Sequence, residues 1–139
     1  MQTAPRTVAR GGSPQVAAWP AWWQNGPDTV SWPARGEIDT VEALTAQTEA
    51  HLHYKDLRGH QQNTGFTSPS AFTGWHTLGE RWNAAAGQVT FYWDGRAVFS
   101  HAFIGPYPLY LSLDYQIASN SAPPNLPSGM LVDWVRVWA

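Results

Sequence analysis

The 139-residue chain contains no cysteine, so no disulfide framework and no thiolate metal site is available to it. Only 13% of its residues are charged, and 8 basic residues nearly balance 10 acidic ones. A field of one sign strong enough to hold nucleic acid or an anionic membrane is therefore excluded. No apolar run approaches the roughly 18 residues of a membrane span. The opening MQTAPRTVARGGSPQVAAW also lacks the continuous apolar stretch of a signal peptide, and no internal repeat is visible. A chain of this length forms one domain and buries enough surface for a core without staples.

Aromatics are abundant instead, with 9 Trp, 5 Tyr and 5 Phe. Large rings are mostly core, and that is the expectation for most of the Trp. A surplus of flat amphipathic rings also suits a ligand such as a sugar.

Residues 1–17 carry no periodicity and read as a flexible leader, with the domain at 18–139. WPAWW reads as a strand end, and QNGPDTVSWPARG, broken by Asn-Gly, Gly-Pro and Trp-Pro steps, as a loop. GEIDTVEAL (36–44) and TEAHLHY (48–54) read as strands. The polar segment 55–73 reads as a long loop, and 74–82 as another strand. Asp94-Gly95 lies between two alternating runs as a two-residue hairpin turn. PLYLSLDYQ alternates, NSAPPNLPSG reads as a loop, and MLVDWVRVW reads as a closing strand. Seven or so short strands with no required helix predict an all-β antiparallel sandwich or jelly roll.

Three of the acids, Glu37, Asp39 and Glu42, fall within six residues of an otherwise apolar strand, where an unpaired charge is costly. Glu37 and Asp39 share a face, but Glu42 would point the other way in a regular strand. A bulge at Thr40 or Val41 restores a common face. Crowded carboxyls push one another's proton affinities apart, as glycoside hydrolysis requires of its nucleophile and its acid. The pattern alone is weak, and a solvated strand edge is the competing reading. A metal site drawn from Glu37, Asp39, Glu42, His51 and His53 shows no recognised ligand spacing. His60, His76, His101 and Arg136 read as framework or surface residues.

WPAWW, WPARGEIDTVEAL, HLHY, WHTLGERW, FYWDGRAVF and VDWVRVW occur in an order that closely resembles glycoside hydrolase family 16 over about residues 18–138. The resemblance implies a concanavalin-A-like jelly roll and a retaining endo-glycosidase. In it Glu37 is the nucleophile, Glu42 the general acid/base, and Asp39 the residue hydrogen-bonding between them. The one-residue-longer spacing before Glu42 resembles the bulged branch of laminarinases, agarases and carrageenases, and WPARGEID is most similar to the laminarinases among them, which implies β-1,3-glucan as substrate. It also implies Trp32 as a stacking platform and His53 facing the sugar, with Trp23, Trp19 and Gln116 near the cleft. No cofactor is implied. Asp133 matches a position that helps bind structural calcium in many relatives, but one carboxylate cannot make such a site.

The matching segments begin midway through the family pattern, so the jelly roll is expected to be incomplete at its N-terminus. Open sheet edges would then invite self-association. Asp114 and Ala118-Ser119 stand where relatives often have Asn and Gly-Gly. The alternative to an enzyme is a carbohydrate-binding, lectin-like or truncated inactive sandwich. The family resemblance implies an extracellular setting.

Overall fold

A computed structural model describes residues 6–9, 18–43, 48–68, 74–105, 107–117 and 130–138. The fold is all-β: two five-stranded sheets in which every described pairing is antiparallel, arranged as a jelly roll. In chain order the strands are β1 (Arg6–Ala9), β2 (Ala18–Asn25), β3 (Glu37–Glu42), β4 (Glu49–Lys55), β5 (Gln61–Thr67), β6 (His76–Asn83), β7 (Gln88–Trp93), β8 (Arg96–Ala102), β9 (Tyr110–Ile117) and β10 (Met130–Val132). One sheet runs β5-β4-β3-β2-β9 and the other β10-β1-β6-β7-β8.

The strands arise where the sequence alternates. In β4, Ala50, Leu52 and Tyr54 are buried while Glu49, His51 and His53 between them are half-buried. The Asp94-Gly95 turn has φ values of 48° and 78°, the paired positive angles that match a two-residue turn to the twist of its strands. The Asp94 carboxylate also receives the Thr77 N–H at 2.9 Å and contacts His76 Nδ1 at 2.9 Å, tying the hairpin to β6.

Two clusters fill the space between the sheets. Ile38, Leu52, Val89, Phe91 and Phe103 form one, and Trp22, Val41 and Leu78 the other. Each fully buried side chain contributes roughly 1.5–3 kcal/mol through removal of apolar area from water, as an upper estimate. Glu80 is also fully buried and accepts hydrogen bonds from Gln24 Nε2 and, at 2.7 Å, from Thr40 Oγ1. These bonds link β6 to β2 and β3 across the sandwich.

Several expectations are corrected. Arg6–Ala9, inside the segment read as a leader, pairs with β6 and β10; four residues are too few to show periodicity, and pairing on two sides defines the strand. The long loop at 55–73 contains β5, whose QQNTGFT alternates exposed and half-buried residues on the sheet edge. The Asp56 carboxylate nucleates the turn before it, accepting the N–H groups of Arg58 and His60 and the Gln62 amide. WPAWW lies within β2, an interior strand eight residues long. The closing strand shortens to Met130–Val132, and the described residues 133–138 are not in a strand. Of the nine Trp, Trp22 alone is buried, so the expectation that most are core fails. Leu44 and the NSAPPNLPSG segment lie outside the described residues.

Candidate active site

β3 occupies the middle of its sheet, so its three acids do not blunt an exposed edge. Against β2, Val41 pairs with Trp22 and Asp39 with Trp23; against β4, Glu42 pairs with Glu49 and Asp39 with His51. On both sides β3 carries one residue more than its partner, which is the expected bulge. Ile38, Thr40 and Val41 turn toward the core, where Thr40 reaches Glu80 and the two apolar side chains join the clusters. The opposite face presents Glu37, Asp39 and Glu42.

Those three residues line an open groove of about 210 Å³ together with Trp19, Ala21, Trp23 and Gln116. Trp19 donates its indole N–H to Glu42 Oε1 at 3.1 Å, and His51 Nδ1 lies 2.8 Å from Glu42 Oε2. His53 Nε2 lies 3.3 Å from Asp39 Oδ2 and 4.0 Å from Glu37 Oε1. Trp32, 45% exposed, sits against the His53 ring with centroids 5.4 Å apart. On β9, Asp114 Oδ2 accepts the Trp23 indole N–H at 2.9 Å and the Gln116 amide at 3.0 Å.

Burial and the neighbouring Glu42 and Glu37 charges hold Asp39 well above the ordinary carboxylate range. Burial also raises Glu37, opposed by the positive potential of His53 and a hydrogen bond from the Trp32 side chain. The hydrogen bond to Glu42 raises His51 against the opposing effect of burial, whereas burial lowers His53.

Every residue expected from the sequence to be catalytic or sugar-facing is on this face. Glu37, Asp39, Glu42, Trp19, Trp23 and Gln116 line the groove, and Trp32 and His53 adjoin it at Glu37. Sequence reasoning missed His51 as a partner of Glu42, Asp114 as the anchor of Trp23, and Glu80 beneath the bulge. The register of His51 with Asp39 supplies the first of these once β3 and β4 are paired; nothing local signals the other two. His76, His101 and Arg136 are framework or surface groups, with Arg136 placed over Trp134 at 5.1 Å. Asp133 is exposed beyond β10.

Two overlapping sets, Glu37-Asp39-His53 and Asp39-Glu42-His51, each bring one donor atom per residue within 4.8 Å. In the second set His51 Nδ1 and Glu42 Oε2 face each other at 2.8 Å as a hydrogen-bonded pair.

The family model described as "XgeA-like, catalytic GH16 domain" matches residues 11–90, more than half of the chain. The chain belongs to glycoside hydrolase family 16. Among solved structures, LamAcat from Zobellia galactanivorans is similar with a TM-score of 0.81 and 24% identity over 99% of this chain and 64% of that one. The endo-β-1,3-glucanase from Pyrococcus furiosus is similar with a TM-score of 0.75 and 23% identity over 97% and 59%. A laminarinase catalytic domain from Thermotoga maritima has a TM-score of 0.72 and 20% identity over 97% and 62%. This family 16 chain thus spans about three-fifths of the length of these structures, and at such identities they share its fold. Comparison with curated proteins found no match.

Proposed function

We propose that this family 16 chain hydrolyses a β-linked polysaccharide, β-1,3-glucan in the first instance, with retention of configuration. The observation that carries the reading is the bulge of β3, which turns Glu37, Asp39 and Glu42 into one groove beside Trp19 and Trp23. Crowding of that kind lets one carboxyl stay ionised while another keeps a proton.

In the first displacement the Glu37 carboxylate attacks the anomeric carbon while Glu42 gives a proton to the departing glycosidic oxygen. A glycosyl ester on Glu37 results. In the second, Glu42 takes a proton from water, whose oxygen attacks the same carbon and frees Glu37. Two inversions give net retention. Asp39, between them and pushed toward its protonated form by burial and the flanking charges, is the group placed to donate a hydrogen bond to the charged nucleophile. Exposed Trp32 and His53 form the wall on the Glu37 side, and Trp23, fixed by Asp114, forms a second aromatic surface.

The choice of β-1,3-glucan rests on relatives: LamA from Zobellia galactanivorans has been crystallised with laminaritriose and laminaritetraose, and several similar structures are named as laminarinases. A polymeric substrate of this size also favours an extracellular setting.

Wild type, Glu37→Gln and Glu42→Gln are to be assayed side by side for reducing ends released from laminarin. The reading expects turnover by the wild type, none measurable for Glu37→Gln, and a loss of about 10²–10⁴-fold for Glu42→Gln. Laminarin binding without products from the wild type would replace it with a lectin-like function.

A further inference from the structure

His51 has no part in the reaction as described above, yet it is built into the site from two directions. Its Nδ1 lies 2.8 Å from Glu42 Oε2, while the other oxygen of Glu42 is taken by the Trp19 indole N–H. An indole can only donate, so Oε1 is engaged as an acceptor, and Oε2 is the oxygen that can share a proton with the ring nitrogen. On the far side, Gly65 of β5 is paired directly with His51. A Cβ at Gly65 would overlap the imidazole ring and the Ala50 carbonyl oxygen, so the neighbouring strand leaves a space that the ring fills.

Resting on the hydrolase reading, we propose that His51 is a positioning residue for Glu42, sharing with it the proton delivered to the leaving oxygen and recovered from water. Before the first displacement the pair holds one exchangeable proton, written either as a protonated Glu42 beside neutral His51 or as a carboxylate beside imidazolium. Delivery to the glycosidic oxygen leaves the carboxylate beside neutral imidazole. Deprotonation of water in the second displacement restores the pair. No proton is gained or lost over the cycle.

Such a pair titrates as a unit, so the pH at which it surrenders its last proton belongs to both groups. The charged or titratable groups around the imidazole are Glu42 and Asp39 on β3, with Glu37 beyond them, and Glu49 and His53 on its own strand. From β5 the position opposite is Gly65, and from β2 the nearest partner of the pair is Trp19. The Glu42 and Glu49 carboxylates beside the ring, with His53 held toward its neutral form by burial, favour retention of the proton to higher pH than an isolated imidazole would allow.

Two measurements test this. The pH profile of kcat/KM on laminarin is taken for wild type, His51→Gln and Gly65→Ala, with melting temperatures to show that each variant is folded. Gln keeps a hydrogen bond to Glu42 but has no titrating proton, so its alkaline limb is expected to move down by about one pH unit. Gly65→Ala displaces the ring and is expected to move the limb in the same direction with His51 still present. A limb that stays in place or moves up for His51→Gln overturns the proposal, because a purely structural histidine changes the plateau and not the limb.

The second measurement needs no turnover: the His51 imidazole is titrated by NMR in wild type and Glu42→Gln. A downward move of its titration in Glu42→Gln supports the shared proton. Identical titrations overturn it. Coupling by NMR in a protein without hydrolytic turnover overturns the hydrolase reading and leaves the proton pair standing.

Discussion

Replacing Glu80 by Gln changes the stability of the protein in a way that depends on pH. Glu80 is fully buried on β6, and burial raises its pKa from 4.5 to about 7 against the opposing hydrogen bonds of Thr40 and Gln24. An acid whose folded pKa is raised binds its proton more tightly in the folded state. Its contribution is therefore fully present below pH 4.5, is lost as pH rises toward 7, and is level above that. The rise from 4.5 to about 7 corresponds to roughly 3 kcal/mol of stability lost across this window. Gln has the same shape: its carbonyl can accept from Gln24 and its amide can donate to the Thr40 hydroxyl. Urea unfolding followed by Trp fluorescence gives stability at pH 4.5 and pH 8 for wild type and Glu80→Gln. The variant is expected to match the wild type at the acidic end and to exceed it by about 3 kcal/mol at pH 8. A difference between the two proteins that does not change with pH would refute the reasoning.

Asp39→Asn is expected to raise the melting temperature more at pH 7 than at pH 4, because burial and the Glu42 and Glu37 charges oppose ionisation of Asp39; laminarin turnover should fall in the same variant. Trp32→Ala removes an exposed ring beside His53 and is expected to raise KM about 3- to 10-fold with little change in kcat, read from initial rates on laminarin. Asp114→Ala frees the Trp23 indole and the Gln116 amide and is expected to raise KM by about tenfold, one hydrogen bond's worth or more, with melting temperature as the control for folding. Leu52→Ala empties a fully buried position beneath the site and is expected to cost about 2–5 kcal/mol in urea unfolding.

The bulged strand β3 was legible because a local rule conflicted with its spacing. Glu42 lies on the wrong parity from Glu37, and only an extra residue at Thr40 or Val41 reconciles the two, as the pairings of β3 with β2 and β4 bear out. The Asp94-Gly95 turn was legible for a similar reason, since that dipeptide suits two positive φ angles. β5 was hidden because an edge strand needs little apolar content: its pairing with β4 supplies the stability that its own side chains do not. Glu80 looked like one more polar residue in GWHTLGERW, and its burial follows from Gln24 and Thr40, which are 56 and 40 residues away in sequence. His51 was visible as a residue of the wet face of β4, but its bond to Glu42 depends on the bulge and on Gly65 opposite. Contacts set by sheet register are written in pairs of strands, and one strand alone does not reveal them.

The account turns on double displacement at Glu37 and Glu42. Its most direct test is the anomeric configuration of the first product formed from a β-linked glucan, read by NMR within the first minutes before mutarotation mixes the anomers. The account predicts the β anomer as the initial product. An initial α anomer would contradict it, because a single displacement would then have taken place in this groove.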